Sequence, residues 1–169
     1  MSMTNKELIL GVMREQGRSD ALSLRIRAAD MDGTAIIAEE SKAPAFDPQK
    51  DYSSWPVGAP VADEGQVWTL IQPHNAANYQ GRPSTIRALW GLAHTKDPAK
   101  AKPWVDPLGT SGMYMAEECY LAEDGTVYRC RADNTVYDAE ALPGGWTAVE
   151  VTALEAAIDT QIMAAMMEV

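Results

Sequence analysis

Positive charge is scarce in this chain: 14 Lys and Arg stand against 24 Asp and Glu, a formal net charge of −10. Such a surface repels phosphate backbones and anionic lipid, which sets aside nucleic-acid binding and membrane docking. Long apolar runs are missing; none approaches the ~18–20 residues of a bilayer-spanning helix. Met1 to Arg14 lacks a basic start followed by an apolar block, so no secretory signal is expected. Two cysteines are too few for a disulfide scaffold. The two histidines, His74 and His94, lie too far apart in sequence to form a metal site without acidic partners. His74, in Gln72-Pro73-His74-Asn75, reads as a hydrogen-bonding turn residue. Neither a metal nor another cofactor is expected.

Against a single Phe the chain sets five Trp and six Tyr. These rings pair an apolar body with a polar edge, which suits small β cores, half-wet interfaces and sugar platforms. With 46% hydrophobic and 22% charged residues the composition is that of a folded chain.

Residues 1–44 read as a helical segment. Thr4 or Asn5 caps a first helix ending near Gly17, and Ser19 caps a second carrying Leu22, Ile26 and Ala29. Gly33 breaks that helix, and Thr34 starts a third through Ile36, Ile37 and Lys42. Residues 43–48, with two prolines, read as a linker. From residue 50 the texture becomes that of β-hairpins. Thr95 to Gly112 reads as a connector between units at 50–94 and 113–150. Thr152-Ala153-Leu154-Glu155 is a capping box, and Leu154, Ile158, Ile162 and Met166 form one stripe of a C-terminal helix over 151–169. That stripe either folds back on the N-terminal helices or pairs copies of the chain in a homo-oligomer.

The two β units are one pattern written twice. Gly65-Gln66-Val67-Trp68 lies over Gly125-Thr126-Val127-Tyr128, with Ala59 over Cys119, Val61 over Leu121 and Leu70 over Cys130. Each copy closes on a Trp, Trp90 and Trp146. Glu64-Gly65 and Asp124-Gly125 sit where a two-residue hairpin turn wants an αL-tolerant residue followed by Gly. That turn length sets Val61 opposite Trp68 and Ala62 opposite Val67, then Leu121 opposite Tyr128 and Cys119 opposite Cys130. Because side chains alternate, Leu121, Tyr128, Cys119 and Cys130 would share one core face. The cysteines are then either two buried thiols or a cross-strand disulfide; a metal site lacks histidine partners.

Trp55-Pro56-Val57-Gly58, Gly65-Gln66-Val67-Trp68-Thr69-Leu70 and Trp90 resemble the small carbohydrate-binding modules of family 5/12, the type-3 chitin-binding domains. So do Met113-Tyr114, Gly125-Thr126-Val127-Tyr128-Arg129-Cys130 and Pro143-Gly144-Gly145-Trp146. Longer stretches, such as 70–105 and Gly109 to Met115, look like prophage-encoded tail-associated proteins carrying such modules. The resemblance implies a mainly β fold with flanking α-helices and two repeated β-hairpin modules. It implies a non-catalytic binding or assembly protein, made in the bacterial cytoplasm and placed in a virion tail, with tail proteins and cell-surface polysaccharide as partners. A purely structural tail subunit is the alternative. The platform aromatics of sugar-binding members fall here on Gln72, Pro73, Ala132 and Asp133. The candidate sugar contacts are therefore the loop rings Tyr79 and Tyr137, with Trp68, Trp90, Tyr128 and Trp146 at positions that mostly build the module core.

A second chemistry is spelled by Asp30-Met31-Asp32-Gly33-Thr34, the D-x-D-G-T signature of haloacid-dehalogenase-type phosphatases. It needs that loop at the end of a buried parallel strand in a doubly wound sheet. The flanking sequence offers neither, so Asp30 and Asp32 are expected to serve a helix stop and turn.

Overall fold

A computed structural model describes residues 4–150. The C-terminal helix expected over 151–169, and any pairing through it, lies outside the described residues. One long helix, a short second helix and two small sheets make a mixed α/β fold, where the sequence suggested a mainly β one.

Helix α1 runs unbroken over Asn5–Arg27. Thr4 caps it in a reciprocal box with Glu7. Gly17 does not end it. A mid-helix Gly costs only about 1 kcal/mol, and Arg18–Glu15 (3.1 Å) and Gln16–Asp20 (2.8 Å) hydrogen bonds flank the spot. Ser19 is consequently an interior residue. Helix α2, Gly33–Ala38, begins at Gly33 instead of breaking there. Its cap is Asp32, whose carboxylate accepts from the Ala35 amide at 2.8 Å. Thr34 accepts from the Lys96 amide at 2.9 Å and so ties α2 to the chain beyond the first sheet. A Cβ at Gly33 would lie 2.2 Å from the His94 carbonyl oxygen, so only glycine permits that approach.

The first sheet is an antiparallel meander of β1 (Pro60–Asp63), β2 (Gln66–Leu70) and β3 (Trp90–Leu92). Its first hairpin has the expected register, with Val61 opposite Trp68 and Ala62 opposite Val67. Glu64 and Gly65 both take positive φ, 52° and 74°, as a type I′ turn requires. Ala59, Val61, Trp68, Leu70 and Trp90 fill the core beneath.

The second sheet holds β4 (Lys102–Pro103), β5 (Cys119–Leu121), β6 (Val127–Cys130) and β7 (Trp146–Ala148). Here the hairpin register departs from expectation by one residue: Tyr120 faces Tyr128, Leu121 faces Val127 and Cys119 faces Arg129. The cause is the turn. Ala122 and Thr126 close a three-residue loop, Glu123-Asp124-Gly125, with Gly125 at φ 88°. A one-residue slip turns every β5 side chain over. Tyr120, not Leu121 or Cys119, joins Tyr128 and Cys130 on the core face. The two cysteines therefore lie on opposite faces, both buried and both free thiols.

Both stretches read as linkers belong to the sheets. Ala45 forms a parallel bridge to Ala62, and β4 runs parallel to β5. Each lead-in delivers a ring. Phe46 stacks on Tyr52 (6.0 Å, 11°) and Trp104 on Tyr114 (4.8 Å, 10°). In each case the amide of the next residue, Asp47 or Val105, donates to the tyrosine hydroxyl. The closing tryptophan meets that tyrosine edge-on, Trp90 at 5.2 Å and Trp146 at 5.3 Å.

The parts are pinned together at few points. The C-terminal end of α1 docks on the first sheet with the Arg25 guanidinium 3.8 Å above the Trp55 ring. His94 joins the sheets: its ring stacks on Tyr114 at 3.7 Å and its Nε2 meets the Gly112 carbonyl at 3.0 Å. Gln66 donates to the Pro103 carbonyl at 2.9 Å.

Candidate binding groove

The register slip that turns Tyr120 inward builds a site. Tyr120 and Tyr128 stack across β5 and β6 (5.5 Å, 28°), and Trp104, just past β4, meets Tyr120 edge-on at 5.0 Å. The Tyr120 hydroxyl accepts from the Ala139 amide at 2.9 Å, which sets the 138–140 segment across from the hairpin turn. Between them runs a groove of about 860 Å³ in which the half-buried rings of Trp104 and Tyr128 are reachable, while Tyr120 is buried beneath and supports them. Glu123 and Asp124 line it from the turn, Asp138 and Glu140 from the segment bonded to Tyr120, and among the described residues no basic one lines it. Asp124 is held below the usual carboxylate range by the Thr126 amide and hydroxyl, so it is ionised near neutral pH. Burial raises the Tyr120 hydroxyl, which stays neutral.

Aromatic faces beside hydrogen-bond acceptors are a surface for a polyhydroxylated ring. In general the C–H face of a pyranose stacks on aromatic rings while its hydroxyls donate to neighbouring carboxylates.

The matching face of the first sheet is shut. Trp68 holds the position of Tyr128 and is only 1% exposed. Arg87 lies over its ring at 5.0 Å, and Ile86, Leu89 and Leu92 pack on the cluster. Arg82 clamps Asp63 through two hydrogen bonds of 2.7 and 3.0 Å, which fixes this flap. The segment between β2 and β3 is the longer of the two, and the extra chain forms the cover.

The sequence-derived sugar contacts divide accordingly. Trp68, Trp90 and Trp146 are 0–4% exposed, so they hold cores together and cannot stack on a sugar. Tyr128 is half-buried and lies in the groove. Tyr79 is exposed on the first unit, edge-on to His74 at 5.3 Å. His74 is a turn hydrogen-bonder as expected, its Nδ1 2.7 Å from the Gln72 carbonyl. Tyr137 is 60% exposed, next to the groove residue Asp138, but is not part of its lining. Trp104, Tyr120, Asp138 and Glu140 were missed. Tyr120 was hidden by the assumed turn length. Trp104 had a visible signal: Phe46-Asp47-Pro48 and Trp104-Val105-Asp106-Pro107 are two versions of one lead-in.

Asp30 and Asp32 do not form the setting a phosphatase loop needs. Asp32 caps a helix, and Asp30 lies in a 3₁₀ turn, not at the end of a parallel strand. Among the described residues no group of three or more His, Cys, Asp and Glu side chains is placed to hold a metal ion. No described helix is long and apolar enough to cross a membrane. No family model and no curated protein matches the chain.

Proposed function

We propose that this chain is a non-catalytic binding and assembly protein, a component of a phage or prophage tail, whose second β unit contacts cell-surface polysaccharide. The observation that carries the reading is the open groove of Trp104 and Tyr128, held in place by the buried Tyr120, between carboxylate-bearing walls. The resemblance of residues 50–150 to type-3 chitin-binding modules agrees with it, although the sugar surface is not where those modules keep theirs. The first unit, with the same face sealed by Arg82 and Arg87, acts as scaffold.

The test is binding of the purified chain to insoluble chitin and to bacterial cell-wall glycan, followed by titration with soluble oligosaccharides using Trp fluorescence. Saturable binding is expected, weakened about tenfold or more by Tyr128→Ala, since an aromatic anchor is worth roughly 1–3 kcal/mol. Tyr79→Ala should leave it unchanged. Binding lost on Tyr79→Ala but kept on Tyr128→Ala would move the site to the first unit. No binding from folded protein would leave a purely structural subunit.

A further inference from the structure

Helix α1 is anchored at one end only. Leu24 is fully buried, Ala28 is buried and Ala21 half-buried, and these mark the side that faces the body. Most of the other side chains of α1 are exposed, including seven large apolar ones from Leu8 to Ile26. A helix containing Gly11 and Gly17 that buries so little is marginal by itself. Four of the seven, Leu8, Val12, Leu22 and Ile26, fall on one line, whereas Ile9, Leu10 and Met13 lie off it. Leu8, Val12, Glu15, Ser19, Leu22 and Ile26 follow one another at spacings of four and three, the seam of a coiled coil. At 100° per residue this seam points away from the side carrying Leu24 and Ala28.

The seam reads the same from either end. It is apolar at Leu8 and Val12, polar at Glu15 and Ser19, and apolar again at Leu22 and Ile26. We infer that α1 pairs with α1 of a second copy, antiparallel and centred near Gly17. In that register Leu8 falls opposite the partner's Ile26, Val12 opposite the partner's Leu22, and Glu15 opposite the partner's Ser19. Every apolar layer meets an apolar layer, and each seam carboxylate meets a hydroxyl donor. Arg18, already 3.1 Å from Glu15 in its own chain, stays beside that central layer. The parallel alternative stacks Glu15 on Glu15 within the seam, a like-charge contact that opposes pairing. The polar centre costs stability and fixes register and direction, as single polar layers do in coiled coils. The pairing sets the two β bodies at opposite ends of a rod roughly 27 Å long. This inference does not depend on what the groove binds.

Sedimentation equilibrium of the full chain across micromolar concentrations should give a dimer, twice 18.4 kDa. The Val12→Glu, Leu22→Glu double variant should be monomeric with an unchanged near-ultraviolet spectrum, because both side chains are exposed. For direction, Glu15→Cys and Ser19→Cys are oxidised separately and mixed. The mixture should cross-link about tenfold faster than either alone. A monomeric wild type, including one whose seam is covered by residues 151–169 of the same chain, overturns the proposal. So does a double variant that stays dimeric, or single variants that cross-link as fast as the mixture.

Discussion

The two sheets use one hydrogen-bond plan for different ends. Both place a ring on a lead-in strand, stack it on a tyrosine and close on a tryptophan. In the first, Trp68 sits under the 82–89 flap and is sealed; in the second, Tyr128 at the same place is open to a groove. Two local differences separate them, a hairpin loop one residue longer and a flap shorter. Neither touches the core plan. A fold of this kind can therefore keep one copy as scaffold and free the other for a ligand.

The largest test of that contrast is to truncate the equivalent rings. Trp68→Ala should cost about 3–5 kcal/mol, since a fully buried ring leaves a cavity that a small sheet cannot refill. Tyr128→Ala should cost roughly 1–2 kcal/mol, because its ring already borders open space. Urea unfolding of both variants checks this. Equal losses would mean that the groove is as tightly packed as the sealed face and that the contrast is false.

Next in size is the junction between the sheets. Burial lowers the His94 pKa to about 4, from an ordinary 6.5, while the Gly112 carbonyl opposes the shift. The unfolded chain therefore binds a proton that the folded chain refuses between these two values. Stability contributed by the neutral ring is complete above pH 6.5 and is lost as pH falls through 4, a change of roughly 3 kcal/mol. His94→Phe keeps a ring against Tyr114 and should flatten the stability profile over that window. A variant with the wild-type slope would show that carboxylates, not His94, set it. Because the first sheet does not use the ring stacked on Tyr114, it should retain its Trp signal longest during acidification.

Part of this plan was legible in the sequence, and what was not has physical causes. The first hairpin, its register and its core ring set followed from alternation and Glu64-Gly65. The second did not, because Asp124-Gly125 fits a two-residue turn or the end of a three-residue one, and the ladder decides only through tertiary packing. That single ambiguity misplaced Cys119 and Leu121 and hid Tyr120, hence the groove. Helix α1 was split at Gly17 because glycine lowers helix propensity without forbidding a helix. The lead-in strands were hidden by proline, which removes a donor but leaves the carbonyl used by a parallel bridge: Ala62 donates to Pro44 at 2.8 Å.

The smallest test uses one backbone position. Gly58 and Glu117 are equivalent: their amides donate to Leu70 and Cys130 at 2.7 and 2.9 Å, and the residue after each bonds back to Pro56 or Met115. Both have positive φ, 93° and 77°. Glycine is at ease there, whereas Glu117 carries strain of about 1 kcal/mol. Its ion pair with Arg129, at 3.8 Å, is exposed and offsets little. Glu117→Gly should therefore stabilise the chain by roughly 0.5 kcal/mol, the relief of strain less the added freedom of the unfolded chain. Gly58→Ala should do the reverse and by more, since its Cβ would also press on the Ala29 Cα at 3.0 Å. If Glu117→Gly instead destabilises, the carboxylate has a role in the second unit that the first has no counterpart for. The equivalence of the two sheets would then stop at their hydrogen bonds.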